Sequence, residues 1–225
     1  FAGVPVNFPG KPFIVTESVS GLMTRGYYRM PSDSMFIWPE RWDKPFYDAS
    51  FSCSSYDNCH VPWGNRHEGT MRHVKNNDFI SGQYVWTGFD YIGEPTPYGW
   101  PARSSYFGII DLAGFPKDIY YMYQSEWSNK QVLHLFPHWN WTEGQDIDLW
   151  AYYNNADEVE LFVNGKSQGV RSKGKDDFHV MWRVKYEPGT VKAVSRKEGK
   201  TVAEQEIRTA GEPAQIRLSP DRSTI

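Results

Sequence analysis

Cysteine is nearly missing: Cys53 and Cys59 are the only two in 225 residues. They are spaced too widely for a redox Cys-x-x-Cys, and no further ligands suggest a zinc site, so the pair reads as free or locally joined. That number permits an oxidising compartment without demanding one. Excess charge is missing too. The net charge is −3, with acids and bases mixed in both halves, so neither nucleic acid nor a lipid surface is an expected partner. No stretch approaches the roughly 20 apolar residues of a membrane span, which excludes membrane insertion by a helix and suggests a soluble globular chain. The first residue is Phe, no charged-then-apolar leader follows, and any export signal is expected outside this chain.

Aromatic residues, by contrast, are plentiful. Ten Trp, fourteen Tyr and thirteen Phe cluster before residue 155, often beside Gly, Pro or Asp. Flat rings can serve as platforms for the C–H faces of sugars, although filling a core is the commoner use of any one ring. Three histidines in this region, His60, His67 and His73, share no obvious face and are expected as surface or loop residues rather than metal ligands.

The two halves follow different grammars. Residues 1–129 alternate short apolar runs with loops and helical stretches, an α/β order. His67 to Asn76 reads as a polar surface helix, with Met71 and Val74 spaced to touch a sheet. Ser105 to Asp111 reads as extended, and Pro116-Lys117-Asp118 opens a helix running to Trp127 with Pro in its first turn. From about residue 130 the pattern alternates with period two, and Asn164-Gly165 supplies a strong hairpin signal. About seven strands over residues 130–211 suggest an immunoglobulin-like β-sandwich, able to fold alone. Residues 212–225 read as the start of a further β module, with a strand over Ala214 to Leu218.

Two strands in the first half end in acids. Lys11 to Glu17 is a short apolar run that delivers a carboxylate into Ser18-Val19-Ser20-Gly21. Gln83 to Phe89 is aromatic and β-branched and runs into Asp90-Tyr91-Ile92-Gly93-Glu94-Pro95. A parallel barrel places reactive groups in this way, at the carboxyl-terminal rim of its sheet. The plain structural alternative is that Glu17 caps its strand or pairs with Arg25.

Phe13-Ile14-Val15-Thr16-Glu17-Ser18, Tyr84 to Tyr98 and Trp100 to Asp118 together resemble glycoside hydrolase family 2, the β-galactosidase group. The likeness covers nearly the whole chain. It implies the C-terminal part of a (β/α)8 TIM barrel, here its seventh and eighth strands, followed by the immunoglobulin-like domain. It also implies retaining hydrolysis of a β-glycoside, with Glu17 as the attacking carboxylate, ionised by hydrogen bonds or a nearby cation; no cofactor is expected and no metal-ligand residues are read, with metal dependence left open. Trp86 falls where the family places an aromatic wall beneath the sugar. Asp90, Tyr98 and Arg103, in the loop after strand eight, are further candidates for substrate contact. The family's acid/base is the Glu of an Asn-Glu pair, a dipeptide absent from this chain, so the second carboxylate is expected before Phe1. Alone, the segment is expected to be inactive.

Glucuronic-acid-specific members carry an Asn-x-Lys motif ahead of the glycine matched by Gly108; here Ser105-Tyr106-Phe107 stands instead, which favours a neutral sugar. Galactose is the favoured one, although Ser20 stands where some β-galactosidases have His. The resemblance also implies a periplasmic or secreted bacterial protein whose partners are a β-galactoside and the rest of its parent chain, with a homo-oligomer left open. The rival reading is a non-catalytic carbohydrate-binding or adhesion module, with the sandwich as a structural spacer.

Overall fold

The computed structural model describes residues 3–38 and 52–222. The first part contains helices α1 (Val4–Asn7), α2 (His67–Lys75) and α3 (Asp118–Trp127), with strands β1 (Phe13–Val19), β2 (Phe36–Ile37), β3 (Cys59–His60), β4 (Ile80–Trp86), β5 (Tyr91–Ile92) and β6 (Ser104–Ser105). β1 and β4 pair in parallel, with α2 in the connection between them. A parallel pair needs such a crossover, because a tight turn can join only antiparallel strands. Ile14 and Tyr84 on this pair are exposed.

Seven strands follow: β7 (Leu133–Phe136), β8 (Asp146–Tyr153), β9 (Glu158–Val163), β10 (Lys166–Arg171), β11 (His179–Lys185), β12 (Thr190–Lys197) and β13 (Lys200–Arg208). They form two antiparallel sheets ordered β10-β9-β12-β13 and β11-β8-β7. β9 and β12 bury every second residue or nearly so, and Leu149, Leu161, Trp182 and Val191 meet between the sheets in one core. Asn164 and Gly165 join β9 to β10 with φ of 49° and 78°, the paired left-handed conformation that a tight hairpin requires.

The other face of β11-β8-β7 is not solvated. Phe136, Trp150, Tyr152 and Phe178 pack there against Met23, Tyr56, Met71, Ile119 and Met122 from the first part. The sandwich therefore shares a core with what precedes it and is not the self-contained unit expected. Two histidine–carboxylate contacts cross the same seam, His179 to Glu68 at 2.5 Å and His134 to Asp118 at 2.8 Å. The His179 ring lies flat on Trp150, 3.6 Å between centroids.

Helix α2 departs most from expectation. Rather than a polar surface helix, it buries His67, Glu68, Thr70 and Met71. Its Arg66 N-cap provides no side-chain cap; the Asp57 carboxylate instead accepts the N–H groups of His67 and Glu68 at 2.9 and 2.7 Å. Buried polar residues are tolerated when partnered, and here the partners come from outside the helix: Asp57 just ahead of β3, Tyr123 in α3 and His179 in β11. His67, expected at the surface, is fully buried, with Nδ1 2.9 Å from the Tyr123 hydroxyl.

Burial lowers the His67 pKa to about 4, against an ordinary value of 6.5. The folded state thus holds this imidazole neutral while the unfolded chain protonates it, so stability falls as pH drops from 6.5 towards 4. The loss amounts to about 3 kcal/mol by linkage. Thermal melts between pH 7 and 4.5 should show a shallower acid-side decline for His67→Gln than for the native sequence. Equal slopes would show that His67 is not the group responsible.

Three local expectations are corrected. Of the stretch Ser105 to Asp111 only Ser105 lies in a strand, β6, in which Ser105 pairs with Tyr91 and Ser104 with Ile92; Ile110 makes isolated bridges. Pro116 sits in one of those bridges, and α3 starts only at Asp118. Ala214 to Leu218 forms no strand: Ile216 and Leu218 are exposed, and no sheet edge meets them among the described residues.

Candidate active site

Glu17 sits near the end of β1, and the pairing with β4 explains its presentation. Val15 pairs with Gln83 and Ser18 with Val85, with an irregularity between them that contains Thr16 and Glu17. A bulge of this kind bends the strand and re-aims a side chain. Thr16 and Glu17 are exposed, whereas Ser18 is buried and donates through Oγ to the Tyr84 carbonyl at 2.9 Å and to Gln83 Oε1 at 3.2 Å. The ladder thus resumes directly after the carboxylate and fixes its base.

The following turn is unusual. Val19 and Ser20 have φ of 85° and 64°, left-handed values costing about 1–3 kcal/mol each for non-glycine residues. The Asn65 N–H donates to the Val19 carbonyl at 2.6 Å and the Val61 N–H to the Ser20 carbonyl at 3.3 Å. Between those donors, a Cβ on Gly64 would lie 2.4 Å from the Val19 oxygen, so only glycine allows so close an approach.

Glu17 opens onto a cleft of about 480 Å³ shared with Trp63, Asn65, Thr70 and His73. Among the described residues its carboxylate has no hydrogen bond or ion pair. Arg25, its alternative partner, is engaged with Asp111 at 2.5 Å. Glu17 is therefore a solvent-accessible carboxylate on a fixed backbone, free to meet a ligand. Trp63-Gly64-Asn65 was not singled out in the sequence; it reads locally as a turn before a helix, and nothing nearby reveals that it folds against Glu17.

Trp86 closes β4 opposite Val19, two residues beyond Glu17 in register. It is 37% exposed and meets Tyr91 edge-on at 5.9 Å, but does not line the cleft beside Glu17. Asp90 requires correction as a substrate contact. It is 8% exposed, pairs with the fully buried Lys117 at 2.7 Å and accepts the Gly108 N–H at 2.8 Å. Lys117 also donates to the carbonyls of Met23 and Tyr106. Burial pushes Asp90 up and Lys117 down, each partly offset by the other.

Tyr98 is likewise corrected. It is buried in a core cluster with Phe107 and Val61, its hydroxyl is 2.7 Å from Cys53 Sγ, and burial raises its pKa. Cys53 and Cys59 are both buried free thiols. Arg103 is exposed, with its guanidinium 4.4 Å over the Trp100 ring. No cluster of metal-ligating side chains occurs among the described residues, and no described helix is long and apolar enough to cross a membrane.

The fold of this chain recurs in solved glycosidases. A β-glycosidase from Bacteroides vulgatus superposes with a TM-score of 0.84 and 32% identity, covering 98% of this chain and 30% of that one. The chain belongs to glycoside hydrolase family 2. Within it, the chain is 77% identical over 222 residues to the β-galactosidase BoGH2A of Bacteroides ovatus, covering 99% of this chain and 26% of that protein. It is 36% identical to a putative β-glucuronidase of Formosa agariphila, over 93% of this chain and 22% of that protein. Residues 144–203 match a domain of unknown function, DUF4982. The chain spans about a quarter of the length of these curated relatives.

Proposed function

We propose that the chain is the C-terminal part of a (β/α)8 catalytic barrel (residues 1–129) followed by an immunoglobulin-like β-sandwich (130–211), with 212–225 leading into a further module. Its parent is a retaining β-glycosidase acting on terminal, non-reducing β-galactosides. The observation that carries this reading is Glu17: an exposed, unpaired carboxylate aimed by a bulge at the end of a parallel strand, beside an open cleft.

In this scheme a Glu17 oxygen attacks the anomeric carbon as the bond to the departing oxygen breaks. A second carboxylate about 5 Å away, contributed by the rest of the parent, gives that oxygen its proton. Water activated by the same group then releases the sugar and frees Glu17. Trp86, which does not line the cleft beside Glu17, is assigned the aromatic wall for the pyranose on the family resemblance alone. The galactose assignment is supported by the 77% relative and by the absence of a cation in Ser105-Tyr106-Phe107. Phe107 is itself buried, so it acts through packing rather than by touching sugar. A periplasmic or extracellular bacterial location belongs to the same proposal and rests on the family resemblance alone; a carbohydrate partner is supported by the glycosidase relatives.

Trapping the parent with a 2-fluoro β-galactoside should label Glu17, located by peptide mass analysis. A label on any other carboxylate would refute the assignment.

A further inference from the structure

We infer that His67 is a positioning residue for the reaction: with Gly64 it clamps the buried turn that follows Glu17 and so holds the attacking carboxylate in place. This inference rests on the glycosidase reading above. It starts from the bulge, where β1 advances three residues from Val15 to Ser18 while β4 advances two, from Gln83 to Val85. An extra residue has a defined direction only when the pairs on both sides of it are fixed. Downstream of Glu17 the ladder has just two pairs left, Ser18 with Val85 and Val19 with Trp86, before the chain enters its left-handed turn. Whatever grips that turn therefore sets the downstream end of the bulge.

The grip comes from one segment, residues 59–67. The Cys59 carbonyl accepts the Leu22 N–H at 3.0 Å, and the Val61 and Asn65 N–H groups hold the Ser20 and Val19 carbonyls. Gly64 presses on the start of the turn: a Cβ there would lie 2.7 Å from the Ser20 Cβ as well as against the Val19 oxygen. His67 presses on its end. A Cβ on Gly21 would stand 2.8 Å from Cδ2 and 2.9 Å from Nε2 of the imidazole, so the ring edge rests on the Gly21 backbone. Val19, Ser20 and Gly21 are all buried, and left-handed non-glycine residues persist only where their surroundings over-determine them.

The ring is itself held. Asp57 accepts the His67 N–H, the Tyr123 hydroxyl lies 2.9 Å from Nδ1, and the Tyr123 ring meets the imidazole edge-on at 5.6 Å. Nε2 has no hydrogen-bond partner among the described residues, so what that edge contributes is its contact with Gly21. α3 thus braces the ring, the ring braces the turn, and the turn fixes the strand that carries Glu17. Misplacing a reacting group by about 1 Å can cost on the order of 100-fold in rate.

The test uses the parent protein and a 2-fluoro β-galactoside. His67→Ala and Gly21→Ala should each lower the first-order rate constant of labelling at saturating reagent by about 30-fold, with KM for an aryl β-galactoside within threefold of native. That rate constant, unlike the labelled amplitude, does not depend on how much protein is folded, so a loss of stability alone would leave it unchanged. In the double variant the added methyl enters the space left by the ring edge, and labelling should be about tenfold faster than the product of the two losses predicts. Should neither single variant fold, His67→Gln, whose amide lacks the ring atom against Gly21, should label about tenfold more slowly. Unchanged rate constants, losses that simply multiply, or a rise in KM with kcat kept would overturn the clamp. A label on a carboxylate other than Glu17 in the native parent would instead refute the nucleophile.

Discussion

Replacing Glu17 with Gln in the parent protein should reduce turnover on the order of 1,000-fold or more, with substrate affinity largely kept. The substitution preserves shape and removes only the charge that attacks carbon, so the lost interaction belongs to the transition state rather than to binding. Because Glu17 is exposed and has no hydrogen bond or ion pair among the described residues, this part of the fold loses no contact, and the variant should melt within a degree or two of the native protein. Steady-state kinetics on an aryl β-galactoside, with calorimetry for binding, provides both readouts. A carbohydrate-binding module would give a different result: affinity intact and no activity to lose in either protein. A Glu17→Gln parent retaining a tenth of native turnover would end the nucleophile assignment.

The second large effect concerns stability. Lys117→Met leaves Asp90 buried with its cation gone, and removing one partner of a buried pair costs about 3–5 kcal/mol. The pair is well enclosed, since the Lys117 side chain is fully buried and that of Asp90 nearly so. Lys117 also binds the loops at Met23 and Tyr106, so its removal should loosen the turns around the end of β4. Urea unfolding of the parent should show the loss, and Asp90→Asn combined with Lys117→Met should recover much of it. A single-variant loss below 1 kcal/mol would mean that water or a shifted proton already neutralises Asp90.

How far the sequence revealed these features depended on whether their causes were local. The sandwich strands were readable because period-two burial and the Asn164-Gly165 turn are nearest-neighbour properties. Glu17 was readable as an acid closing an apolar run. Its bulge was not, because the irregularity exists only in the register against β4. The same holds for α2, whose polar face looks solvated in isolation. Asp57 and Tyr123 reach it across the chain, and His179 crosses the seam to Glu68. Asp90 and Tyr98 misled for a related reason: a polar residue after a strand suggests a rim, but Lys117 and Cys53 draw these two inward.

The mixed cluster of Tyr56, Met71, Phe136 and Trp150 limits how such chains can be rebuilt. A sandwich carrying half of another layer's interior is no interchangeable cassette. A graft cut near residue 130 would leave sticky aromatic surfaces on both products, so recombination between relatives should succeed only where α2, α3 and the β11-β8-β7 sheet travel together.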